Sequence, residues 1–128
     1  MDGRTQLPVN EWLRRRYGAE FVDTVTEPGP VRLLASGGTD ASENIRRRIG
    51  ISVGKHGSSV VAVVAHHDCA GNPAAEAQQL EQLKIAVELV GTWFAGVEVI
   101  GLWLGKDWQV VEKLSWPAGG QGARKPRA

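Results

Sequence analysis

The hydrophobic pattern of this chain changes period several times, and its most uniform stretch is VVAVVA at residues 60–65. Six apolar residues in a row are too short for a globular helix, and the β-branched valines suit a strand buried on both faces of a parallel sheet. Polar residues begin where that run ends, at His66, His67, Asp68 and Cys69. Upstream, residues 7–17 turn Leu7, Trp12 and Leu13 to one side and Asn10, Glu11 and three arginines to the other, with Pro8 in the first turn and Gly18 as the stop. That spacing predicts a helix. Residues 21–26 (FVDTVT) alternate and predict a strand, closed by turn residues at 27–30.

Residues 31–35 suit a short helical turn, and 36–39 form a Gly-rich loop. Asp40 or Ser42 then caps a helix running to about residue 51, with Ile45 and Ile49 inward. Asn72 and Pro73 open a longer helix at 75–94, whose Leu80, Leu83, Ala86, Val87 and Val90 share a face. Residues 97–104 predict a strand, 105–107 a turn, and 108–114 an antiparallel return. The order is that of a three-layer α/β domain at 1–114, a mainly parallel β-sheet flanked by helices with a C-terminal antiparallel strand. Residues 115–128, rich in Pro, Gly and basic groups without periodicity, are expected to be a disordered tail.

Composition removes several function classes. The chain has 128 residues, 23% of them charged, and a net charge of +1, which gives no footprint for nucleic acid. The basic runs 14–16 and 46–48 lie on amphipathic segments and read as solvated helix faces. Five tryptophans are spread through the elements, as core and subunit contacts rather than a stacking platform. Gly37 and Gly38 belong to no phosphate-binding pattern, and His56 reads as a surface loop histidine. A single cysteine rules out an internal disulfide framework. No secretion signal and no span of about 18 apolar residues is present, so no membrane role is expected, and the protein is expected to be cytoplasmic and reduced.

Chemistry concentrates just past the buried strand, where ligand sites lie in open α/β sheets. His66 and Cys69 are of the two donor types zinc prefers, and a tight loop can turn both onto one ion. The plainer reading is a histidine capping the next helix beside a small buried thiol. A tetrahedral site also needs further ligands. His67 and Asp68 can hold the ligand ring, relay a proton, or simply begin the loop.

This order of pieces resembles the β-class carbonic anhydrases, in their short, divergent carbonic anhydrase-like branch. In that class one strand ends in C-x-D-x-R and a later one in H-x-x-C followed by a small residue. VVAVVAHHDCAG looks like the second motif, with His66 and Cys69 at its ligand positions, and Asp2 and Arg4 of MDGR look like the D-x-R of the first. FVDTVTEPG is similar to the family's second strand and turn. The cysteine of the first motif would lie immediately before Met1, so it and the strand leading into it are expected upstream.

The resemblance implies zinc held by that cysteine, His66 and Cys69, with Asp2 as a possible fourth ligand or as the group that orients a water. It implies that Arg4 holds Asp2, and that a zinc lyase hydrates carbon dioxide to bicarbonate in a homo-oligomer, a dimer or tetramer. Without the first cysteine, a metal-poor or inactive chain is expected. Two alternatives stay open: a non-catalytic oligomeric scaffold of the same fold, and a zinc hydrolase of carbonyl sulfide or carbon disulfide.

Overall fold

The structure, a computed structural model, describes residues 1–117. Its elements run α1 (Gly3–Tyr17), α2 (Pro30–Ser36), α3 (Asp40–His56), β1 (Val60–His66), α4 (Glu76–Gly91), β2 (Glu98–Leu104) and β3 (Val110–Trp116). The three strands form one mixed sheet in the order β1-β2-β3, parallel between the first two and antiparallel between the last two. The strand β3 extends two residues beyond the expected end at 114, and the rest of the expected tail, from 118 on, lies outside the described residues.

The apolar pattern dictates the layers. Val61, Val63 and Ala65 of β1 stand beside Val99, Gly101 and Trp103 of β2. Side chains alternate across a strand, so these share one face, and they join Leu83, Ala86, Val87 and Val90 of α4, Val31 and Leu34 of α2, and Ile45 and Ile49 of α3 in the core. The glycine at 101 serves packing. A Cβ there would lie 3.1 Å from Leu83, Val87 and Leu114, so α4 sits close on the sheet only because that side chain is missing.

The opposite face carries α1. Its first turn lies by His66, where Asp2 Oδ2 is 4.0 Å from Nε2, and at its far end the Tyr17 hydroxyl donates to Glu98 at 3.0 Å. Burial, with help from Glu98, pushes the Tyr17 phenol up to about 12. Helix α1 thus runs antiparallel to β1 and β2, as a crossover helix does. Asp2 is its N-cap and accepts from the Arg4 N–H, while Gly18 ends it in the left-handed conformation. Thr39, one residue before the expected caps, closes a capping box with Ser42 on α3.

One expected strand does not form. Residues 21–26 form no strand and pair with no neighbour, and Phe21 is 82% exposed. A cavity lies between this segment and the outer edge of β1, so no ladder forms. A strand with no ladder to join is only an extended chain.

Candidate functional site

The strand β1 delivers His66 to the end of the sheet, and the chain then turns sharply. Asp68 is in the left-handed region at φ +57, which aspartate tolerates better than most residues, and the Asn72 N–H closes the turn onto the Cys69 carbonyl at 3.2 Å. His66 and Cys69 are both buried. His66 Nδ1 lies 2.8 Å from the His67 carbonyl oxygen, a partner that can only accept. Nδ1 therefore donates to that carbonyl, and Nε2 faces Asp2 Oδ2 at 4.0 Å.

Around this ring the first turn of α1 contributes two charges. Asp2 receives Arg4 through the backbone N–H at 2.9 Å, Nε at 3.1 Å and Nη2 at 2.6 Å. Those bonds hold the Asp2 carboxyl far below the usual carboxylate range, and the same pairing raises Arg4. Arg4 also reaches across the chain to Asp68, donating to its carboxylate at 3.3 Å and to its carbonyl at 3.1 Å. One guanidinium therefore ties the start of α1 to the loop after β1. Separations of two and of 64 residues converge on it.

Trp108 covers this cation. The Arg4 guanidinium carbon lies 4.3 Å from the indole centroid, and the same indole is 5.8 Å from the His66 ring and 6.4 Å from that of His67. Trp108 sits in the turn between β2 and β3 at φ +57, a conformation costly for a bulky residue, so the turn holds it under strain. Sequence reasoning placed Trp108 at the start of the returning strand, among core and subunit contacts. Its place at the site has no signature in residue spacing, because it depends on how far β2 carries the chain alongside β1.

Two buried amides hold the loop from below. Gln79 Nε2 donates to the carbonyls of His66 at 3.1 Å and Ala74 at 3.2 Å, and the Asn72 side chain donates to Gln82 at 2.6 Å. A backbone crossing fixes it from the side: Gly71 meets the Pro28-Gly29 turn so closely that a Cβ on Gly71 would lie 2.5 Å from the Pro28 carbonyl carbon. Sequence reading passed over Gln79 and gave Asn72 only a helix start, although buried amides beside a loop rich in ligand-type residues are a signal of positioning.

Asp2 and Arg4 thus meet His66 at the end of β1, and Cys69 is buried on the loop that follows. As a metal site the set is partial. Asp2 is taken up by Arg4, and no three His, Cys, Asp or Glu groups among the described residues converge on one point. Among the described residues no helix is long and apolar enough to cross a membrane.

The sheet thus carries an Asp–Arg pair beside a buried histidine at the carboxyl end of β1, with a buried cysteine on the loop that follows. A family model described as Putative carbonic anhydrase matches residues 1–113, and the chain belongs to that family. Comparison with curated proteins and with solved structures gives no match.

Proposed function

We propose that the protein is a zinc-dependent, cytoplasmic carbonic anhydrase that interconverts carbon dioxide and bicarbonate. The observation that carries this reading is the His66 ring, with Nδ1 satisfied by the His67 carbonyl and Nε2 turned toward an ionised Asp2. His66 and Cys69 would hold the zinc, together with at least one donor beyond the described residues. Zinc, when bound, supplies the charge that brings water to a pKa of about 7, so that a nucleophile exists at neutral pH.

The chain's own residues orient that nucleophile. Asp2, kept ionised by Arg4, would accept a hydrogen bond from that water and so orient it. Arg4, itself fixed by Asp68 and Trp108, would hold the Asp2 carboxylate in that orientation. With the described donors alone zinc binding is weak, and the 128-residue chain is expected to be metal-poor.

The incomplete donor set favours a second reading, an oligomeric scaffold that keeps the fold without the reaction. Native mass spectrometry of protein from its own host separates the two, with stopped-flow carbon dioxide hydration on the same sample. One zinc per subunit and hydration activity, both lost in Cys69→Ala and His66→Ala, supports the enzyme. Zinc-free, inactive protein leaves the scaffold. The same spectrum counts subunits, with a dimer or tetramer expected.

A further inference from the structure

Among the described residues, every position with a positive φ is a glycine except two, Asp68 and Trp108, both at φ +57. Asp68 lies in the loop after β1 and Trp108 in the turn between β2 and β3. Each of these connections is closed by a backbone bond of its own, from the Asn72 N–H to the Cys69 carbonyl at 3.2 Å and from the Trp108 N–H to the Gly105 carbonyl at 3.0 Å. Glycine would fit either backbone without strain, and a bulky tryptophan is among the residues least suited to it. The two exceptions share a partner.

Both touch Arg4. Its Nη1 donates to the Asp68 carboxylate at 3.3 Å, its Nη2 to the Asp68 carbonyl at 3.1 Å, and its guanidinium carbon stands 4.3 Å from the centre of the Trp108 ring. An exposed ion pair or a cation–π contact taken alone is weak. Here Asp2 already holds the guanidinium through Nε and Nη2, so a planar fork fixed in one orientation offers its edge to one loop and its face to the other. Either contact then needs little further ordering. Strained backbone persists where the surrounding contacts over-determine it, and at both positions those contacts include the same cation.

We infer that Arg4 is a clasp shared by the two loops: it holds Asp68 and Trp108 in left-handed backbone that each would otherwise leave, so the loop carrying Cys69 and the turn carrying Trp108 tighten and relax together. Arg4 is thereby a positioning residue for both loops, in addition to its hold on Asp2. The loops are also joined by the His67 N–H, which donates to the Leu104 carbonyl at 2.8 Å. That bond continues the ladder between β1 and β2 and engages neither strained residue, so the two routes can be told apart. The clasp involves no metal and stands without the zinc reading.

The test crosses Asp68→Gly and Trp108→Gly with Arg4→Gln in the 128-residue chain, read by amide hydrogen exchange and by thermal midpoints. In the parent, Trp108→Gly is expected to quicken exchange at the Asn72 N–H, and Asp68→Gly at the Trp108 N–H, each about threefold or more. Arg4→Gln alone quickens both amides, and in its background both cross-effects are expected to vanish. There each glycine raises the thermal midpoint by about 2 °C or more, because strain is relieved with no contact left to lose. In the parent the gain is smaller, since the contact goes with the strain. A parent without cross-effects overturns the inference. Cross-effects that survive Arg4→Gln also overturn it, by assigning the coupling to the His67–Leu104 bond. So does a fall in midpoint for either glycine variant in the Arg4→Gln background. If Arg4→Gln does not fold, Arg4→Lys replaces it with the same expectations, because lysine keeps the charge and loses the planar fork.

Discussion

The Arg4 guanidinium lies 4.3 Å from the centre of the Trp108 ring, between an aspartate on its own helix turn and another 64 residues away. The contact joins the beginning of the first helix to the last turn of the sheet. It is held in place by a tryptophan in the left-handed backbone region.

Trp108→Gly is expected to change stability little, because relieving the strained backbone, worth roughly 1–3 kcal/mol, offsets the lost stacking, worth roughly 0.5–2 kcal/mol. The local effect is larger than the global one. The Arg4 Nε–H signal is expected to move downfield and exchange faster in this variant, and to stay near its original position in Trp108→Phe. NMR of labelled arginine reads both.

The Asp2 carboxyl is held low chiefly by its side-chain bonds to Arg4. A carboxyl with a depressed folded value stabilises the protein above its unfolded value of about 3.9 and loses that contribution as pH falls below it. Asp2 is therefore expected to remain ionised at pH 3 in the folded protein. In Arg4→Gln its titration moves up toward the ordinary range, which carbon-detected NMR of the carboxyl follows.

Tyr17 shifts the other way, up to about 12 through burial and its bond to Glu98. Its contribution is complete below the unfolded value of about 10 and is lost as pH rises through about 12. In Tyr17→Phe, the loss of stability between these two values is expected to be shallower. Denaturant midpoints across that range measure the difference.

Gly71→Ala drives a methyl group into the Pro28-Gly29 backbone and is expected to destabilise by about 1–3 kcal/mol or more. Gly54→Ala, within α3 where a Cβ meets nothing, is expected to stabilise by about 0.5–1 kcal/mol. Opposite signs from the same substitution, read as thermal midpoints, test whether the crossing at Gly71 is as close as it stands.

Gln79→Leu keeps the volume and removes the donor shared by the His66 and Ala74 carbonyls. A loss of about 1–3 kcal/mol is expected, with faster exchange confined to the loop after β1. If the loss is the same but exchange rises evenly over the chain, the amide serves packing alone.

Much of this protein could be read from local pattern. The apolar run at 60–65 was enough for β1, the 3.6-residue spacing of Leu83, Ala86, Val87 and Val90 for α4, and the polar cluster after the run for the position of the site. Periodicity records which face of an element is buried, and that is a local property. The Asp2–Arg4 pair and the His66–Cys69 loop were legible as motifs, but their approach was not, since it depends on α1 crossing the sheet with its first turn over the carboxyl end of β1.

Only the tertiary structure decided the rest. It brought Trp108 and Asp68 to Arg4, set Gln79 and Asn72 beneath the loop, and crossed Gly71 with Gly29. It also withheld a strand from residues 21–26, whose sequence favours one. A strand is made by its neighbour's hydrogen bonds as much as by its own side chains, and residues 21–25 face a cavity instead of a strand.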